Sequence, residues 1–245
     1  MISENLGWII DGNNGEINMI VSNCFVQAIS NVFNKMNLNI STSIFQSSFD
    51  YITLVSNINI NTSNAGWNNS TFDGFVDTQS TTFFDVNSNS GLFIGDSVIN
   101  NIVKSINTND VTVININGDS YCNFNLVRIT NFDRLFNVFQ ANISFNNVVA
   151  TTTVVTNNSS NTNKSTVNFS GDTFGSHIGT VFDIPNTYNF TNSLIDWNNV
   201  TFKNVNAPNQ RAISFNVCKA QMNTALGKIL FLEAFAQQCA KFLPL

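Results

Sequence analysis

Charge is scarce in this chain. Asp, Glu, Lys and Arg make up 10% of its 245 residues, where roughly 25% is usual for a soluble domain. The ten Lys and Arg residues never cluster, the longest grouping being the sparse C-terminal set Lys219, Lys228 and Lys241, and the formal net charge is −5. Binding to nucleic acid by phosphate neutralisation is therefore not expected. There is one His and there are three Pro. No run of about 18 apolar residues occurs, so no membrane span is expected. The opening stretch "MISENLGWIIDGNNGE" has neither a basic segment nor a long apolar one, which argues against a secretory signal. Cys24, Cys122, Cys218 and Cys239 lie far apart with no CxxC pair and no Cys/His cluster, so no metal site is expected. They read as four buried thiols behaving as small hydrophobes, with their disulfide status open.

What replaces charge is Asn, Ser and Thr. Asn alone is roughly one residue in five or six, threaded between 23 Phe and many Ile and Val. With 43% hydrophobic residues there is ample material for a core, so the low charge does not signal disorder.

The stretch "WNNSTF" (67–72) returns as "WNNVTF" (197–202). Both are copies of a looser pattern, in which a large apolar residue is followed by small polar residues and a second apolar residue five positions on. The pattern recurs from Ile20, Ile44, Trp67, Phe93, Phe124, Phe145, Phe169 and Trp197, in steps of 21 to 31 residues. Such a period marks a repeat array. Between copies come short apolar–polar–apolar segments: "FDV" (84–86), "INI" (114–116), "FNV" (136–138), "FDI" (182–184) and "FNV" (215–217). This alternation predicts half-buried strands. Ubiquitous Asn and β-branched residues exclude helical repeats. The expected fold is all-β: a parallel β-helix solenoid of about eight coils with three short strands per coil. The eight pattern starts would form an inward column, with neighbouring coils about 4.8 Å apart. Asn at the turns suits the left-handed backbone of a tight corner. Asn68/Asn69, Asn125, Asn146/Asn147 and Asn198/Asn199 are expected to form a ladder of side-chain hydrogen bonds. On this reading Asn147→Ala loses a buried hydrogen bond worth about 1 kcal/mol, and Phe145→Asp abolishes folding.

Coil length, three strands per coil and an Asn-bearing turn after an inward aromatic resemble the right-handed parallel β-helix (pectate-lyase-like) superfamily, at the level of architecture, over roughly residues 17–217. The expected organisation is a lead or cap over 1–16, the solenoid over 17–217, and a C-terminal helix over 218–245. There "KAQMNTALGKILFLEAFAQQCAKF" (219–242) places Met222, Leu226, Phe235, Cys239 and Phe242 at helical spacing. A stacked coil has open ends that need a cover, so that helix is read as a cap, the alternative being a helix that docks a partner or a symmetry mate.

Some proteins of this superfamily cleave polysaccharides, and the resemblance implies where to look for such chemistry. "NTND" (107–110), "GD" (118–119) and "SHIG" (176–179) echo the motif order of polygalacturonase-like enzymes. The match departs at Asp110, displaced by one residue, at Ser176, which stands in place of Gly before His177, and in the lack of an Arg-x-Lys motif. Inverting glycosidases need two carboxyl groups about 6.5–9.5 Å apart, for which Asp96 with Asp119, or Asp172 with Asp196, are the candidates. His177 reads as a hydrogen-bonded turn residue. Arg128, Arg134 and Arg211 form no cluster in the sequence. No catalytic, cofactor-binding or metal-binding residue and no cofactor is therefore assigned. The expectation is a non-enzymatic structural or attachment protein of a virus particle, located in the virion and bound to other structural proteins or to itself, for example as a trimer. The competing reading is a polysaccharide-binding adhesin module, or a polysaccharide hydrolase or lyase, at a cell surface or outside the cell, with a glycan as partner.

Overall fold

The computed structural model of the chain describes residues 9–11, 17–29, 32–75, 81–103, 111–152, 167–170, 173–183, 188–191, 193–203, 213–216 and 219–223. These residues form parallel strands and no helix. The strands stack in three faces. Face A is a nine-stranded parallel sheet running from Phe25–Ile29 through Ile44–Ser48, Asn64–Asn68, Gly91–Gly95, Tyr121–Asn125 and Asn142–Asn146 to Thr173–Ile178, Ser193–Asn198 and Lys219–Asn223. Faces B and C belong to one 16-stranded sheet. The long strands Val32–Ser41 and Tyr51–Asn61 belong to both faces, and elsewhere B and C are separate strands such as Thr71–Phe75 and Thr82–Asn87. The chain visits B, C and A in turn. The described stack is a parallel β-solenoid, and its nine rungs in face A span roughly 38 Å at about 4.8 Å per step.

The repeated hexamer is the corner between faces A and B. Trp67, next to last in an A strand, points inward, Asn68 ends the strand pointing out, Asn69 turns, Ser70 is buried, and Phe72 is the first inward residue of face B. The turn residue is left-handed in seven consecutive coils: Phe49, Asn69, Asp96, Leu126, Asn147, Gly179 and Asn199, with φ between 46 and 57°. Each of the first six donates its backbone N–H to the coil that follows, as in Asn69 to the Gly95 carbonyl and Leu126 to the Asn146 carbonyl. A single residue bends the chain without forfeiting the ladder between coils. Asn147 is exposed, and its amide reaches only its neighbour Asn146, at 3.1 Å. Its value therefore lies in tolerating the left-handed backbone, which corrects the expectation of a buried hydrogen bond.

Four of the eight expected inward residues hold. The true column, read from strand register, is Ser47, Trp67, Ile94, Phe124, Phe145, His177, Trp197 and Met222. Ile44 and Phe93 point outward, each 42% exposed, and Ile20 is 71% exposed. Phe169 lies on face C, paired with Val138 and Phe190. The slips at Ile20, Ile44 and Phe93 have one cause, each standing beside an inward residue (Val21, Phe45 and Ile94), whereas Phe169 is in register with buried Val138 on a face other than the expected one. Alternation has period two, so an offset of one residue reverses the side chain, and degenerate copies offer several apolar residues to align. Among the interlying segments, "FDV", "INI" and "FNV" (136–138) are face C strands in register. Phe182 instead belongs to face B, and Phe215 pairs with Phe190 on face C.

Parallel pairing extends from Ile9–Asp11 to Lys219–Asn223. The helix expected from residue 218 does not occupy Lys219–Asn223, which is an A strand. Residues 224–245 lie outside the described residues.

Two kinds of side-chain stack hold the coils in register. At the corner between faces C and A, buried serines form a file. The Cys24 N–H donates to Ser43 Oγ, Ser43 N–H to Ser63 Oγ (3.0 Å), Ser63 N–H to Ser90 Oγ, and Ser90 N–H to Ser120 Oγ. Ser43 and Ser63 hydroxyls donate in turn to the carbonyl two residues back, each at 2.8 Å. The second kind is the Asn ladder. The expected column contributes one rung, Asn146 Nδ2 to Asn125 Oδ1 at 3.0 Å. Two longer ladders run on the other faces. On face C, Asn137 donates to Asn115 and Asn115 to Asp85 (2.9 and 2.8 Å). On face B, Asn131 donates to Asn101 and Asn101 to Asp73 (2.8 and 2.7 Å). Each of these two longer ladders ends on a carboxylate, which accepts and cannot donate.

Candidate functional site

The residues weighed for chemistry do not converge. Asp96 closes an A strand at the A–B corner, whereas Asp119 sits at the C–A corner, before Tyr121–Asn125. A five-residue strand and its turns separate the two edges, roughly 20 Å, too far for a pair that activates one water. Asp196 sits on face A in register with Ser176 and Gln221, and Asp172 lies outside the described residues, as do Asp110 and Arg211. His177 is a core residue, not a turn residue. It is 1% exposed, fills the Trp/Phe column, and its ring centroid lies 5.1 Å from Phe145 and 5.6 Å from Phe182. Arg128 begins a face B strand and is exposed, while Arg134 begins a face C strand. Among the described residues no three His, Cys, Asp or Glu side chains gather as metal ligands, and no helix is long and apolar enough to cross a membrane.

Of the thiols, Cys122 is buried, and burial pushes it well above its ordinary 9.0. Cys24 is exposed, correcting the expectation of four buried thiols. Cys218 and Cys239 lie outside the described residues.

Most exposed large apolar side chains of the described residues gather in two places, with Ile20 and Phe139 apart on face C. On face A, Phe93 (42% exposed) and Tyr121 (37% exposed) stand edge to face at 5.3 Å. Tyr121 lies across Gly91 and donates its hydroxyl to Asn64 Oδ1 two coils away, at 2.9 Å. A Cβ on Gly91 would sit 2.5 Å from both Asn64 Oδ1 and the Tyr121 ring, so only Gly permits this arrangement. Phe25, Ile44, Gln46 and Asn123 complete an uncharged outer surface around the pair. The second place is the A–B corner. Phe49 and Leu126 occupy the left-handed turn position, 59% and 51% exposed. A bulky residue with this backbone costs about 1–2 kcal/mol, and Asn or Gly at that position avoids most of the cost. Tyr51, Val149 and Ile178 line the same edge, all exposed. Tyr51 donates its hydroxyl to Asp73 at 2.9 Å, and that bond is the main reason its pKa is raised above 10.0.

Neither place was read from the sequence. In the sequence Phe93 reads as inward, one residue from the true inward Ile94. The signal for Phe49 and Leu126 was present, because both stand two positions after an inward residue, where other coils carry Asn, Asp or Gly.

No protein-family model, curated protein or solved structure matches this chain.

Proposed function

We propose that the chain is a non-enzymatic structural or attachment protein, a rod that binds through its faces and edges, and that its setting is a virus particle. The observation that supports this best is where most of the large exposed apolar side chains of the described residues lie: nine of eleven are on one face and one edge of the stack, spread over several coils, with Ile20 and Phe139 on face C, and none gathers around converging polar groups. The scarcity of Lys and Arg fits a rod exposed to proteases. The finer assignment, a right-handed coil of the pectate-lyase-like superfamily, is supported by the strong right-handed preference of parallel crossovers; a left-handed coil in an experimental map would refute it. For the function, antibody labelling of density-purified particles from the source cells is the direct test. Labelled particles are the expected result, and a chain confined to the particle-free fraction overturns the virion setting. Release of reducing ends or unsaturated products from a polysaccharide panel overturns the non-enzymatic part.

One observation favours a second reading, a glycan-binding module. The Phe93–Tyr121 pair offers ring surface flanked by Asn and Gln on an uncharged face, and aromatic rings combine apolar contact with a polar rim. Retention on a neutral polysaccharide that is lost in Phe93→Ala would support it.

A further inference from the structure

The A–B edge carries two side chains that the fold of a single chain does not reward. At the turn position five coils have Asn69, Asp96, Asn147, Gly179 and Asn199, and two have Phe49 and Leu126, left-handed like the rest. Those two are strained and, with 59% and 51% of their surface in water, unburied. Asn at either place would relieve both penalties. Strain held at an exposed position points to use elsewhere, and an apolar ridge along one edge points to a partner. The same edge carries opposite charges on neighbouring coils. Asp96 is the turn residue of one coil, and Arg128 lies two residues past the turn of the next. Both are exposed, and among the described residues no ion pair or side-chain hydrogen bond occupies either charged group.

We infer that this edge is the seam of a homodimer whose two copies lie antiparallel, with the twofold axis passing between the coils of Asp96 and Leu126. The order of turn residues along the rod is Phe49, Asn69, Asp96, Leu126, Asn147, Gly179, Asn199, fixed by the backbone bonds between successive coils. Antiparallel pairing about that axis sets Asp96 of each copy against the coil that carries Arg128 in the other, twice by symmetry. It sets Asn69 against Asn147, and the large Phe49 against the small Gly179, beside the exposed Ile178. A parallel pair, or a parallel trimer around the same edge, instead sets every coil against itself. Asp96 then meets Asp96 and Arg128 meets Arg128, and like charges in contact reject that arrangement. Phe49 against Gly179 and Ile178 supplies the apolar attraction, and the charges choose the direction. The inference rests on the reading of the chain as an interacting rod, but the two fail separately: a monomer removes the seam and leaves particle labelling unaffected.

The test is sedimentation equilibrium on the full chain, with circular dichroism to confirm folding. The wild type is expected to be a dimer. Arg128→Asp places acid against Asp96 and is expected to weaken dimerisation by about a hundredfold or more. Adding Asp96→Arg to that variant restores opposite charges and is expected to restore the dimer. Phe49→Asn removes strain and ridge together, so the monomer is expected to melt higher while the dimer is lost, a combination that a purely structural role for Phe49 does not produce. Direction is read by mixing Asn69→Cys and Asn147→Cys chains, both with Cys24→Ser, and mapping the crosslinked peptides. A 69–147 link is expected, and a 147–147 link would overturn the antiparallel seam. A wild type that stays monomeric to its solubility limit, or a folded charge-swapped chain that fails to re-dimerise, also overturns the proposal.

Discussion

Phe145 has no exposed surface and stacks between Phe124 and His177, with ring centroids 5.3 and 5.1 Å away. Truncation to Ala is expected to cost about 3–5 kcal/mol, read as a fall in the urea midpoint, and Phe145→Asp is expected to leave no cooperative transition, because a carboxylate there has no water and no partner. An unchanged midpoint would mean that the register of the column is wrong. Cys122 allows a finer test. Its thiol is held protonated by burial, above its ordinary 9.0. The folded state keeps a proton that the unfolded state releases, so this contribution to stability is complete below pH 9.0 and shrinks as pH rises above it, by up to about 1.4 kcal/mol per pH unit. Cys122→Ala is expected to lose that part of the alkaline slope, in addition to a pH-independent cost for the buried space the sulfur leaves. In the native protein Cys24 is expected to react with a thiol reagent at once, and Cys122 only on unfolding.

The corners and ladders are properties of an element repeated, and their tests belong there. In Ser63→Ala the Ser43 N–H loses its buried acceptor, expected to cost about 1–3 kcal/mol in urea unfolding. A loss below a few tenths of a kcal/mol would show that the serine file is incidental. Asp73 ends the donor chain from Asn131 through Asn101 and also accepts from Tyr51. In Asp73→Asn the carboxylate that raises the Tyr51 pKa is gone, so one tyrosine is expected to titrate at lower pH by ultraviolet absorbance. An unmoved titration would remove the Tyr51–Asp73 bond from the solution structure. That turns would favour Asn was legible from the hexamer, because Asn69, Asn147 and Asn199 obey a local backbone rule. The serine file was not, since Ser43, Ser63, Ser90 and Ser120 meet only when coils of unequal length are stacked.

At the scale of the whole molecule, a solenoid is a sum of rungs and the contacts between them. Residues 121–141 make one full coil, from the start of one A strand to the residue before the next. Deleting them joins Ser120 to Asn142 and leaves every face in register, so the shortened chain is expected to fold with a modestly lower melting temperature. Deleting 121–134 instead starts face A with residues that belong to face C, and is expected to unfold the chain. Equal behaviour of the two deletions by circular dichroism would contradict the rung boundaries. Unequal coils are tolerated because length varies between faces B and C, from no connection where Val32–Ser41 and Tyr51–Asn61 run through both faces, through the single residue Asp133, to the whole of 152–166. The A–B and C–A corners keep their short turns.

The sequence by itself determined the class of fold. Inward aromatics, a left-handed turn residue and alternating short strands are local features, and Trp67, Phe124, Phe145 and Trp197 carry them plainly enough to fix a repeat. Only the stacked structure decided which residue of each degenerate copy faces the core, separating Ile94 from Phe93 and Ser47 from Ile44, because a slip of one residue reverses a strand and the core accepts only the registers that bury its columns. The stack also decided the site. Asp96 and Arg128 are far apart in the chain and come to one edge because the coils between them wind once around. His177, the one residue of its kind, was drawn into the aromatic core because its position in the strand points inward, whatever its chemistry would allow elsewhere.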